Sequence, residues 1–187
     1  KKELDALSRN QHLLDFGRVD QIWPWLASKH GNVLAVDAPH AYPPEKFSYS
    51  EIDQLISDVA CAFQFLGIKP GDVVAMFSEN SPRWLVTDQA IMRVGAANAV
   101  RGTTAPVDEL RYIVEDSCAI ALVVQTNELW KKLALSEEET KRLSFVVILE
   151  GGAEDGLISW EKLISDGRGR RTIDPMQDRG PETAGST

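Results

Sequence analysis

The sequence predicts an α/β fold in which a mostly parallel sheet lies between flanking helices. From Asn32 onward, short runs rich in β-branched residues alternate with amphipathic segments. This alternation is typical of parallel strands joined by right-handed helical crossovers. The run VVAMF (Val73–Phe77) is apolar throughout, as expected for a strand covered on both faces. With 187 residues, 43% of them hydrophobic, the chain is long enough to bury such a core.

The first elements are predicted to be a helical lead-in and a β-hairpin. Residues 1–31 precede the first β-branched run and are assigned to the lead-in. Asn32–Asp37 and Lys46–Tyr49 have the composition of strands, and Pro43 and Pro44 interrupt the chain between them. We therefore expect these two strands to pair as a hairpin.

The clearest helix follows this hairpin. Ser50 is the predicted N-cap, Gly67 suits the C-terminal cap, and Pro70 prevents the helix from continuing. Apolar residues recur between them at helical spacing and form one stripe. The stripe consists of Ile52, Leu55, Ile56, Val59, Phe63 and Leu66.

The alternation continues as far as Asp166. A second helix is expected with Ser81 as N-cap and Pro82 at the first helical position, ending near Val94. The pattern then predicts strand, helix, strand, helix, strand and helix over residues 97–100, 106–115, 120–124, 129–135, 145–149 and 158–165. No apolar periodicity follows Asp166. We therefore predict an α/β subdomain over residues 32–166 and a linker over residues 167–187.

Composition and charge exclude several kinds of function. The formal net charge of −8 argues against a nucleic-acid partner, because that affinity depends on neutralising phosphates. The one dense basic cluster (Arg168, Arg170 and Arg171) is interpreted as a solvated loop. Cys61 and Cys118 lack a C-x-x-C spacing and are interpreted as structural thiols. No apolar run reaches the ~18 residues that a membrane-spanning helix needs.

Candidate ligand-binding residues lie where the strands of the predicted sheet end. Ligands of open parallel sheets bind outside the carboxyl ends of the strands. Asn80, Arg101 and Thr103 occupy such positions, and the helix that begins after Ser81 would direct free N–H groups into the same space. Arg101 is the best candidate for contacting an anion. The simpler interpretation of Asn80 and Ser81 is a turn and a helix cap.

Two residues of the second predicted helix have both a structural and a functional interpretation. Asp88 shares the apolar face of the helix with Trp84 and Ile91, and a buried carboxylate requires a partner. Arg101 or a backbone N–H could supply it. We favour a structural anchor over a catalytic acid for Asp88, because no second carboxylate or histidine lies at a paired spacing. Trp84 is likewise favoured as a core aromatic rather than a ring that stacks on a ligand.

The sequence contains none of the short motifs that carry catalytic chemistry. The phosphate loop G-x-x-x-x-G-K-[ST], the dinucleotide turn G-x-G-x-x-G, the nucleophile elbow G-x-S-x-G and the zinc motif H-E-x-x-H are all absent. His12, His30 and His40 lack a metal-ligand spacing. We therefore assign no catalytic residue and no metal ligand to this chain.

Three stretches carry a family resemblance: FSYSEI (47–52), the block from GIKPGDVVAMF to NAVRG (67–102), and ELRYIVEDS (109–117). Together they resemble the N-terminal region of adenylate-forming enzymes, the family of acyl-CoA synthetases, luciferases and peptide-synthetase adenylation domains. ENSPRWLVTDQ and NAVRG are most similar to acyl-acyl carrier protein synthetases of cyanobacteria and plastids, and next to long-chain acyl-CoA synthetases. The resemblance extends over roughly residues 22–187 and implies that the chain is a fragment of the large N-terminal domain.

The resemblance also implies where the catalytic residues are. In this family a segment like ETAGST (182–187) leads into a phosphate loop rich in Ser, Thr and Gly, so we expect that loop beyond Thr187. The adenine-binding motif, the magnesium-binding residues and the lysine for adenylation would also lie downstream. Tyr49, Glu51 and Gly95 match family positions that build the fold.

For the full-length protein the resemblance implies a ligase that uses ATP and magnesium. Fatty acid and ATP would give an acyl-adenylate, from which the thiol of acyl carrier protein or coenzyme A displaces AMP. The fragment alone is expected to hold no cofactor and to be inactive. The implied location is the cytoplasm or the plastid stroma, with peripheral attachment to a membrane also open. Two alternatives remain: a non-catalytic module that binds a nucleotide or acyl group, and an interaction domain that forms a homodimer.

Overall fold

The computed structural model describes residues 18–41 and 43–173, and its centre is a parallel five-stranded sheet. The strands are β3 (Val73–Phe77), β4 (Ala97–Arg101), β5 (Ala121–Val124), β6 (Val146–Ile148) and β7 (Ile158–Ser159). Their order across the sheet is β4-β3-β5-β6-β7, and every neighbouring pair is parallel. The fold class predicted from the alternation of elements is therefore confirmed.

A separate two-stranded hairpin precedes this sheet, as predicted. Strand β1 (Leu34–Ala38) pairs antiparallel with β2 (Glu45–Ser48), and Val36 lies opposite Phe47. Before it, helix α1 (Ile22–His30) occupies part of the predicted helical lead-in. Residues 1–17 of that lead-in lie outside the described part of the chain.

Of the remaining helices in the described residues, five lie between strands and the sixth follows β7. They are α2 (Tyr49–Phe65), α3 (Pro82–Val94), α4 (Val107–Asp116), α5 (Asn127–Leu133), α6 (Glu137–Arg142) and α7 (Trp160–Ile173). Helix α6 and strand β7 were not expected from the sequence. Both are short, and α6 has no buried residue, so it lacks the apolar stripe on which a prediction could rest.

Helix α2 begins two residues earlier than predicted, because Ser48 rather than Ser50 is its N-cap. The Ser48 hydroxyl accepts a hydrogen bond from the Glu51 amide, and the Glu51 carboxylate accepts one from the Ser48 amide. This reciprocal capping box satisfies two donors at the helix start. At the other end Gly67 has a φ of 100°, the left-handed conformation that suits glycine after a helix.

The core lies on both faces of the parallel sheet. Helices α2, α3 and α7 cover one face, where Ile52, Ile56 and Phe63 are fully buried as the stripe predicted. Helices α4 and α5 cover the opposite face through Leu110 and Leu133. Burial on both faces explains why the central strands read as continuous apolar runs.

Helix α7 corrects the prediction of a short last helix followed by a solvated basic loop. It runs to Ile173, so residues 167–173 are helical; residues 174–187 lie outside the described chain. Arg168 and Arg171 each form an ion pair at 3.3 Å with Asp58 of α2, whose side chain is fully buried. A buried carboxylate needs such partners, so charge pairing with Asp58 adds to the apolar contacts that Trp160 and Leu163 of the same helix make with the core.

Candidate functional site

The carboxyl ends of the parallel strands open into a cleft of about 790 Å³. Residues 37–41 and Glu45 form one wall, and the segments that follow β3, β5 and β6 form the other. Asn80, Gln125 and Glu150 line this second wall, after β3, β5 and β6 respectively. The cleft lies where ligands of open parallel sheets bind, so it is the candidate site.

Side chains link the segments after four strands in a rim network, which we define as Thr103, Glu79, Gln125 and Glu150. The Glu79 carboxylate accepts hydrogen bonds from the amide and the hydroxyl of Thr103, both at 2.7 Å. The Glu79 amide donates to the side-chain oxygen of Gln125 at 3.0 Å, and the Gln125 amide group donates to Glu150 at 3.2 Å. One continuous set of hydrogen bonds therefore crosses the strand ends.

The rim network favours the charged form of Glu79. Hydrogen bonds from the Thr103 hydroxyl and then from the Thr103 amide lower the pKa of this carboxyl below its ordinary value. Glu79 is exposed, so the effect comes from these donors and not from burial. The carboxylate therefore stays ionised, and able to accept both bonds, throughout the neutral range.

Arg83 fixes three elements around the cleft. Its guanidinium donates to the Leu149 carbonyl at the end of β6, lies 3.3 Å from the Glu161 carboxylate on α7, and lies 3.9 Å from Glu45 on β2. The same group also lies 5.8 Å from the centre of the Trp160 ring. Sequence reasoning overlooked Arg83, because its partners are 38 or more residues away in the chain and no local pattern indicates them.

The three residues predicted to bind a ligand have different surroundings. Asn80 lines the cleft as predicted by its position, whereas Arg101 and Thr103 are not among the lining residues. Arg101 donates to Glu109 of α4 at 2.6 Å, and that hydrogen bond raises its pKa further. Its nearest charge is thus a carboxylate within the chain. Thr103 belongs to the rim network, in which its amide and hydroxyl donate to Glu79.

Asp88 is buried as predicted, but its predicted partners are wrong. Its carboxylate accepts hydrogen bonds from the side-chain amides of Asn98 on β4 and of Gln89, the latter at 2.9 Å. Arg101 is paired elsewhere, with Glu109. Trp84 packs against the core cluster, as the structural interpretation predicted. Asp88 thus ties α3 to strand β4.

Replacing Asp88 with alanine should lower the free energy of unfolding by about 1–3 kcal/mol, because the Asn98 amide then loses its acceptor. Urea unfolding followed by circular dichroism measures the change. Asp155, an exposed aspartate in the loop after β6, provides the control, and its alanine variant should remain within about 0.5 kcal/mol of the wild type. Equal stability of the two variants would contradict an anchoring role for Asp88.

Within residues 18–41 and 43–173, no group of three or more His, Cys, Asp or Glu side chains could hold a metal ion. Cys61 is buried in α2 and Cys118 is exposed, and neither forms a disulfide. None of the helices in these ranges is both long enough and apolar enough to span a bilayer. Carboxylates, the imidazole of His40 and the guanidinium of Arg83 are among the groups that line the cleft.

Comparison with known proteins identifies the family. Residues 24–181 match the family described as AMP-binding enzyme. The chain is 35% identical over 161 residues to the chloroplastic long-chain-fatty-acid–[acyl-carrier-protein] ligase AEE15 of Arabidopsis thaliana. This match covers 82% of this chain and 22% of that protein. It is 38% identical over 146 residues to the probable acyl-activating enzyme 16, chloroplastic, of the same plant, covering 78% of this chain and 20% of that protein.

A solved structure shows the same fold. The anthranilate CoA ligase AuaEII, determined in complex with anthranoyl-AMP, superimposes with a TM-score of 0.70 at 19% identity. The match covers 80% of this chain and 28% of that one, and the two Arabidopsis relatives are likewise matched over about a fifth of their length. Because the family match extends over most of its length, this chain belongs to the AMP-binding enzymes, as the resemblance of its N-terminal motifs indicated.

Proposed function

We propose that this chain forms part of an ATP-dependent fatty-acid ligase. The observation that carries the proposal is its similarity, over 82% of its length, to a ligase that joins long-chain fatty acids to acyl carrier protein. In the first step the fatty-acid carboxylate attacks the α-phosphorus of ATP, giving acyl-adenylate and pyrophosphate. In the second step a thiol attacks the acyl carbon, releasing AMP and giving a thioester.

The thiol is that of acyl carrier protein or of coenzyme A. The first is named for the Arabidopsis ligase, and the second for the long-chain-fatty-acid–CoA ligase FadD15 of Mycobacterium tuberculosis, which is 30% identical over 118 residues. We place the ligase in the cytoplasm or the plastid stroma, the latter supported by the chloroplastic relatives.

Within this ligase the chain supplies a wall of the site. Adenylation builds up charge on the transferred nucleotide phosphate, which requires positioned N–H donors, cations and a metal ion. The sequence contains no phosphate loop, and the described residues contain no metal-binding group. We therefore assign to them no step that uses magnesium, and we propose that they position the strand-end segments of the cleft.

We expect this polypeptide alone to release no pyrophosphate from ATP in the presence of magnesium and a long-chain fatty acid. A version extended to the length of the relatives should turn over, because positioning and electrostatic stabilisation together supply most of the ~8–23 kcal/mol of an enzyme's effect. Pyrophosphate release is measured for both proteins under the same conditions. Adding acyl carrier protein or coenzyme A in separate reactions then identifies the thiol that forms the thioester.

Comparable turnover by the shorter chain would mean that catalytic groups lie among residues assigned here to the scaffold. An inactive extended protein would contradict the ligase proposal itself.

A further inference from the structure

We propose that Glu79 and Gln125 are positioning residues, which hold the segment after β4 and the segment after β6 in one fixed arrangement at the cleft. The inference rests on the proposed ligase function and adds two residues to it. Neither residue is assigned a chemical step. Their effect on the reaction is exerted through the backbone segments that they hold.

The backbone ladder of the sheet ends where the rim network begins. The last parallel register pairs join Phe77 to Arg101 and to Val124. Beyond them single backbone bonds continue, from the Gln125 amide to the Phe77 carbonyl and from the Glu150 amide to the Gln125 carbonyl. Further out, the connections between neighbouring strand ends are side-chain hydrogen bonds of Glu79 and Gln125.

Glu79 holds the segment after β4 by direct contact with its backbone. The carboxylate oxygen that accepts both Thr103 bonds also lies against Gly102, where an added Cβ would come within 3.2 Å of it. Strand β4 is an edge strand with β3 as its one neighbour in the sheet, and Glu79, which follows β3, extends that one-sided contact to the segment after β4. The backbone conformation of residues 102–103 therefore depends on where the Glu79 carboxylate lies.

Gln125, which follows β5, links the segment after β3 to the segment after β6. Its side-chain oxygen accepts the Glu79 amide and its side-chain nitrogen donates to Glu150, so both ends of one amide group are used. A carboxylate in place of this amide could accept from Glu79 but could not donate to Glu150. The chemistry of the link therefore requires a group that is both donor and acceptor.

The expected consequence is weaker substrate binding rather than a less stable fold. Glu79 is exposed, and hydrogen bonds in contact with solvent add little to global stability. Loosening the strand-end segments beside the cleft, however, weakens substrate binding in the ground state and the transition state alike, which raises KM and leaves kcat nearly unchanged. A positioning role therefore predicts variants that fold normally and bind substrate poorly.

The first test uses this chain. In Glu79→Gln the amide oxygen can still accept both Thr103 bonds, but each bond loses the extra strength of a charged acceptor, so amide hydrogen exchange at Thr103 should accelerate by about tenfold. Glu137→Gln is the matched control, because Glu137 pairs with Lys141 on α6, a helix that contributes no residue to the cleft lining. Its Thr103 exchange should equal that of the wild type, and both variants should melt within about 2 °C of it.

The second test uses the extended ligase. Glu79→Gln and Gln125→Glu should each raise the KM of one or more substrates by about tenfold, with kcat changed by less than about threefold. The double variant should show less than the product of the two effects, because both changes break one network. Glu137→Gln should leave every constant unchanged.

Two outcomes would overturn the inference while leaving the ligase function intact. One is an active extended enzyme whose Glu79→Gln variant has wild-type kinetics. The other is Thr103 exchange in that variant that does not differ from the Glu137→Gln control. An extended wild-type protein without ligase activity would overturn the proposed function, and with it the kinetic role of both residues.

Discussion

Replacing Phe63 with alanine should lower the free energy of unfolding by about 3–5 kcal/mol, which is the usual cost of removing a fully buried phenylalanine. The Phe63 side chain is completely buried on the inner face of α2 and stacks on Phe145, with ring centres 5.9 Å apart. Alanine would leave a cavity between α2 and the end of the sheet. The melting temperature of a chain of this size should fall by roughly 10 °C.

Phe65 provides the matched control, since it lies in the same helix two residues further on and its side chain is 56% exposed. Phe65→Ala should cost about 1 kcal/mol or less, because it removes little buried surface. Denaturant unfolding of both variants measures the difference. Similar losses for the two would show that the stripe of α2 does not face the sheet as described.

Replacing Gly167 with alanine should destabilise the chain by about 1–3 kcal/mol or more, because α2 and α7 touch at this residue without room for a side chain. A Cβ at Gly167 would overlap the carbonyl oxygen of Asp58 and come within 2.7 Å of its carbonyl carbon. Both groups belong to backbone, so relief requires that one helix moves. Such a movement would also lengthen the ion pairs of Arg168 and Arg171 with Asp58.

Gly169 lies two residues along the same helix and has open space where its Cβ would be. Gly169→Ala should therefore stabilise the chain slightly, by up to about 1 kcal/mol, through the higher helix propensity of alanine. Opposite signs for the two variants, measured by thermal unfolding, are the expected result. A stabilised Gly167→Ala variant would contradict the close contact of α2 with α7.

Sequence patterns predicted the parts of this protein that depend on neighbouring residues. The apolar stripe of α2, the Ser81 cap and Pro82 of α3, and the continuous run of β3 each lie within one segment, so their spacing could be read directly. The predicted N-cap of α2, Ser50, was wrong, and Ser48 caps the helix instead. The choice of Ser48 was decided by Glu51, three residues further on.

The sequence predicted where the candidate site lies, but not which side chains contact one another there. The rule for open parallel sheets located Asn80 at the strand ends, and the buried position of Asp88 followed from its helix register. The hydrogen-bond partners of Asp88 did not follow from the sequence. Arg101 or a backbone N–H was the expected partner of Asp88, yet Arg101 pairs with Glu109, and the side-chain amides of Asn98 and Gln89 donate to Asp88 instead.

By itself, then, the sequence determined the α/β class, the central strands and helices, and the membership of the AMP-binding family. Tertiary structure decided which polar side chains meet. Glu79 and Thr103 are 24 residues apart, and Asp58 and Arg168 are 110 apart, so neither pair leaves a local pattern. Hydrophobic periodicity records which face of an element is buried, because every residue of the face meets the same apolar surroundings. A polar contact depends on one partner at one distance, and only the folded chain brings that partner near.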